Sequence, residues 1–268
     1  MPDPKKARHL TASRRAEARY VLELLRVLGE VHRGILKVVE REHLWQHDLR
    51  HDAPFVGLTD KLLRRIFQYV TPQVQTAFDF MASEVEKSNA KGGALLGIRA
   101  AHVPGLESVI DHARQKNVAL ITRASEDFLA QVRDVLEEND GAHPDDLRAL
   151  LAERVDVSKS RAQLIARDQT LKLNSQITQH RQRAAGVTQY RWSSSHDERV
   201  RPAHRELDGG VFGWDEPPET NDDGDRNHPG EDFQCRCVPI PVIQELEEPD
   251  EAAGEFEDEP SLGVAAEE

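Results

Sequence analysis

Apolar residues return at three- and four-residue steps from near the start of the chain to Gly186, and that period restricts some 185 of its 268 residues to helices. Between residues 4 and 47, Tyr20, Leu24, Val27, Leu28, Val31, Ile35 and Val38 share one face, which predicts a single long amphipathic helix. Its opposite face is basic, with Arg8, Arg14, Arg15, Arg19, Arg26, Arg33 and Lys37, a pattern that suits a solvated surface or contact with nucleic acid. Ala53-Pro54 and Gly57 predict a break, and Leu58, Leu62, Leu63, Ile66, Phe67 and Val70 a second helix. Thr71-Pro72 reads as a cap followed by a first-turn proline, opening a third helix through Val74, Ala77, Phe78, Met81 and Val85. Gly92-Gly93 and Pro104-Gly105 bracket a loop-like stretch. Helices are then expected over 106–114, 125–138 and 144–155, and from Ser158 as a cap to Gly186.

After Gly186 the period shortens. Residues 187–195 alternate and carry Tyr190 and Trp192, which predicts a strand; 211–212 and 233–242 are shorter candidates separated by turn-rich sequence. The expected fold is mainly α with a small C-terminal α+β module: an extended helical N-terminal body (1–105), a second domain (106–243) and an acidic disordered tail (244–268). The tail follows from charge. The net charge is −13, yet eleven acidic residues and no Lys or Arg follow Arg236, so the remainder stands near −2. Such a segment has too little apolar surface to offset its ordering entropy; it serves solubility, or docks a partner. No apolar run reaches membrane-spanning length, and the polar, basic start predicts no signal peptide, so a cytoplasmic, non-membrane protein is expected.

The only cysteines, Cys235 and Cys237, are one residue apart and do not form a disulfide framework. On a strand both thiols share a face, and with His204 and His228 they make a Cys2His2 set suited to one structural Zn. The spacing is tighter than Cys-x2-Cys, and Asp197 is an alternative to either histidine. Plain core thiols, a Cys-x-Cys disulfide and a loop role for His228 remain open. Asp197, Arg199, Arg201, Glu231, Asp232 and Arg236 suit a structural network of bidentate Arg–carboxylate pairs. The alternative, a metal-dependent nuclease or hydrolase with His204 as base, finds no nucleophile, phosphate loop, His-Glu-x-x-His or Gly-x-Ser-x-Gly beside it, so the chain is expected not to be an enzyme. Residues 159–205 hold ten Lys or Arg, with Arg167, Lys172, Arg181 and Arg183 as candidates for sequence-nonspecific DNA contact; pairing with the acidic 208–232 segment competes with that reading.

These pieces occur in a particular order. Tyr190-x-Trp192 is followed by Asp197-x-Arg199-x-Arg201-x-x-His204, Phe212-x-Trp214-Asp215-x-Pro217-Pro218 and Pro229-Gly230-Glu231-Asp232-x-x-Cys235-Arg236-Cys237. Asn117 to Ile121 and Ser158 to Ala162 add to it upstream. The ordered set resembles the phage Mu F-like minor head, or head-morphogenesis, family over residues 106–242, about half the chain. One departure is Arg167-Asp168-Gln169, where many relatives read Arg-Thr-Glu. The resemblance implies a minor capsid protein of a tailed phage, present in the virion head near the portal and in host cytoplasm during assembly. Its implied roles are procapsid assembly and DNA packaging or ejection, with portal protein, major capsid or scaffold protein and packaged DNA as partners. The N-terminal body is then assigned to portal or scaffold contact.

Overall fold

Four long helices bury one another's inner faces and form the body of the molecule. The computed structural model describes residues 4–41, 53–98, 103–139 and 142–243. A short α1 (Pro4–Arg8) leads into α2 (Arg14–Arg41), α3 (Ala53–Leu95), α4 (Leu106–Glu138) and α5 (Pro144–Ala184). Helix α2 packs on α3 and α5, and α4 packs on α3 and α5. One core results, in which Tyr20, Leu24, Leu28, Phe78, Met81, Ile121, Phe128, Leu173 and Ile177 are fully buried.

The helices are fewer and longer than their local signals predict. Pro72 lies inside α3 and opens nothing. Ile66, Val70, Val74, Phe78, Met81 and Val85 form one buried stripe on both sides of it, while Pro72 faces solvent. Burial of that stripe outweighs the hydrogen bond the proline withholds. The gap expected between 114 and 125 is likewise helical in α4, because Asn117, Ile121 and Ser125 are buried there. Ser158 is no cap: it sits mid-helix in α5, its hydroxyl 3.0 Å from Nε2 of His32 on α2. Pro144 at the start of α5 and Gly186 after its end act as expected. Gly186 has φ +79°, and Val187 N–H closes the last turn on Gln182 C=O at 3.0 Å.

The first helix breaks after Arg8, where Ser13 Oγ accepts from Ala16 N–H at 3.3 Å to restart the chain as α2. The link between them crosses α3 at Gly92, which is helical and not part of a loop. A Cβ there would lie 1.8 Å from the His9 carbonyl oxygen. Gly92→Ala is therefore expected to cost about 1–3 kcal/mol by overpacking. Gly34→Ala, where a Cβ meets nothing within 4 Å, should be neutral or stabilising by up to about 1 kcal/mol. Parallel thermal melts check the contrast.

Helices α2 and α3 pack on each other and share one core with α4 and α5 across residue 105. The acidic tail expected over 244–268 lies outside the described residues, as does the end of the first predicted helix.

The module that follows is a three-stranded antiparallel sheet with β1 (Gln189–Ser193) between β2 (Val211–Gly213) and β3 (Val238–Pro241), plus the short α6 (Pro202–Glu206). Its own core is Tyr190, Trp192, Trp214, Cys235 and Cys237. Gln182 on α5 donates to Pro239 C=O on β3 at 2.8 Å, which fastens the sheet to the bundle.

Candidate metal centre

The strand expected over 233–242 begins only at Val238, so a turn, and not strand alternation, brings the two thiols together. Helix α5 shapes that turn. Ser175 Oγ donates to Pro229 C=O, and Gly230, at φ +90°, lies so close that a Cβ would be 2.8 Å from Ser175 Cβ. Gln234 is held at φ +56° by two bonds to α5: its N–H donates to Asp168 Oδ1 and its Nε2 to Leu164 C=O, both at 2.8 Å. Asp168 is 4% exposed and also accepts from Gln169 Nε2 at 3.0 Å and Lys172 Nζ at 2.9 Å. Glu231 accepts from His228 N–H at 2.6 Å and closes the start of the turn.

The turn places Cys235 and Cys237 beneath α6, both buried, with their sulfurs 3.5 and 3.6 Å from Nδ1 of His204. The three candidate ligand atoms lie within 4.8 Å of one another. The other ring nitrogen of His204 is 2.9 Å from Asp232 Oδ2, and Asp232 Oδ1 accepts from Asn227 Nδ2 at 2.9 Å. A hydrogen bond from Cys237, and then His204, pull the Cys235 thiol down to about 5 against its burial, while Cys237 is held well above the usual thiol range. The contact with Cys235 raises His204. The His204 contact favours the thiolate form of Cys235, the form that binds metal. A cavity of about 210 Å³ opens on all three side chains, and Arg167, Arg199, Arg201 and Arg236 line it.

His228 is not among them. Its Nδ1 is 2.9 Å from Tyr190 Oη, and its ring packs 4.9 Å from Trp214, so the closed Cys2His2 set is not assembled. Burial lowers its basicity. Asp197 is no substitute ligand: both its oxygens are taken by the Arg236 guanidinium, which with the Arg199 N–H holds the carboxyl at about 2. The six residues expected to form one network are dispersed among separate contacts. Asp197 pairs with Arg236, Arg201 donates to Phe233 C=O at 2.5 Å, Asp232 orients His204, and Arg199 donates its N–H to Asp197 at 2.9 Å while its side chain lines the cavity.

Three of the four candidate DNA-contact residues are paired within the molecule. Lys172 meets Asp168, Arg181 meets Glu86 on α3 at 3.3 Å, and Arg183 meets Asp215 at 2.7 Å. Of these partners only Asp215 belongs to the acidic segment expected to compete. Arg167 points to the cavity instead. The spacing motifs missed Asp168 and Asn227; the one signal for Asp168 is a lone carboxylate at the midpoint of a basic helical stretch.

Residues 130–240 match the family model described as phage Mu protein F like protein, a span that runs from the C-terminal third of α4 to β3. A Haemophilus influenzae (strain Rd) protein described as uncharacterized is 37% identical over 147 residues, covering 54% of this chain and 32% of its own length. The chain thus spans about a third of the curated relative it matches. No solved structure matches it.

Proposed function

We propose, from the membership of residues 130–240 in the phage Mu F-like family, that this chain is a minor capsid protein of a tailed phage, acting in head morphogenesis at the portal vertex. In this reading it binds portal protein during procapsid assembly and stays with the head through DNA packaging or ejection. The family match carries the proposal.

His204, the histidine lining the cavity, has one ring nitrogen on Asp232 and the other beside the two thiols, the setting of a metal-ligating imidazole held by a carboxylate. DNA binding through the basic stripe has less support, since Lys172, Arg181 and Arg183 already have carboxylate partners. Because α2 and α3 complete the bundle core, deleting residues 1–105 would unfold the chain and test nothing about partners. Full-length chain should instead be co-expressed with portal, scaffold and major capsid proteins and the particles separated on gradients. Co-sedimentation with procapsids at low copy, lost when portal protein is omitted, is the expected result. A chain found only as a free species would overturn the reading.

A further inference from the structure

We propose that His204, Cys235 and Cys237 hold one Zn²⁺ through three protein ligands, and that its fourth coordination position opens into the arginine-lined cavity, where it takes a small anion. This inference rests on the local geometry and is independent of any role in the head.

The distances carry it. With Zn–S of about 2.3 Å and Zn–N of about 2.0–2.1 Å, a tetrahedral ion requires sulfur and nitrogen about 3.6 Å apart. His204 Nδ1 already stands 3.5 and 3.6 Å from the two sulfurs. Two thiolates and an imidazole select zinc or another soft ion over magnesium or calcium. The surroundings match as well. A metal-ligating imidazole normally passes its second N–H to a carboxylate, which fixes its tautomer and orientation. Asp232 stands there at 2.9 Å and is itself fixed by Asn227, whose amide also reaches Thr220 Oγ1 at 3.1 Å.

Among the described residues no fourth His, Cys, Asp or Glu reaches the group. His228 and Asp197, the two other candidates, are bound elsewhere. The cavity that borders all three ligands is instead lined by Arg167, Arg199 and Arg201, none of which has an ion-pair partner among the described residues. A Zn²⁺ with two thiolates is neutral, so the three guanidinium groups set the sign of the cavity and favour an anion at the open position.

The test uses the full chain purified without chelator. Elemental analysis should give about one zinc per chain, and zinc X-ray absorption two sulfur scatterers and one imidazole. His228→Asn should keep the metal, whereas Cys235→Ser, Cys237→Ser and His204→Asn should each lose it. After exchange to Co²⁺, thiolate-to-metal bands should appear, and added azide should shift the visible d–d bands. Arg199→Ala/Arg201→Ala should weaken that azide response without removing the metal. Zinc well below one equivalent overturns the proposal, as does a second imidazole in the absorption spectrum or cobalt bands that ignore azide.

Discussion

Asp168→Ala is expected to destabilise the chain by about 2–4 kcal/mol, below the full cost of breaking a buried ion pair because Lys172, a quarter exposed, can turn to water. The carboxylate is buried and satisfies three donors at once: the Gln234 N–H, the Gln169 amide and Lys172. Alanine strands the first two in a low-dielectric interface. The bond to Gln234 matters most, because that residue sits at φ +56° next to Cys235 and the bond holds the turn against α5. Asp168→Asn keeps an oxygen for Gln234 but sets an amide donor where Oδ2 accepts from Gln169 and Lys172, so it should hold the turn while still costing stability. Urea unfolding followed by fluorescence reports the change, since Trp192 and Trp214 lie in the module core. The two thiols should also react faster with a thiol reagent in the alanine variant. Unchanged stability together with unchanged thiol reactivity would show that the turn holds its shape without α5.

Asp168 also marks where the sequence stops being informative. Its neighbours Arg167, Lys172, Arg181 and Arg183 read as one basic surface when charges are counted along the chain. Pairing depends on which helix lies opposite, and Glu86 is 95 residues from Arg181. His228 stands apart from the thiols for the same reason: residue types suggest a Cys2His2 set, but Tyr190, 38 residues upstream, holds the ring. Helix existence and type were legible wherever the apolar stripe was long. Helix ends were legible only where no stripe contradicted them. Gly186 ends α5 because nothing beyond it continues the stripe, whereas Pro72 and Ser158 carry similar local signals inside continuous buried faces. The ordered motif 190–237 was legible in full, because Tyr190, Trp192, Trp214, Cys235 and Cys237 are themselves the core of the module.

His32 is expected to make the bundle sensitive to mild acid. Its ring is 2% exposed, packs 4.0 Å from Phe128, and among the described residues bonds only Ser158, with Nδ1 buried and without a partner there. Burial, and then the nearby charge of Lys159, lower its pKa from 6.5 to about 4. The folded chain thus keeps the imidazole neutral where the unfolded chain already binds a proton. The associated stability is fully present above pH 6.5, falls as pH drops below that value, and is exhausted near pH 4. Over that window the loss approaches about 3 kcal/mol, and between pH 7 and pH 5 it is about 2 kcal/mol. His32→Leu removes the titrating group and keeps an apolar side chain against Phe128. His204 and His228 titrate in both proteins, so their opposing contributions cancel in the difference between the two. Urea unfolding at pH 7 and pH 5 should show the original chain losing about 2 kcal/mol more than the variant. Equal losses would mean that His32 binds its proton inside the folded bundle, which requires water or a carboxylate to reach Nδ1 between α2 and α4.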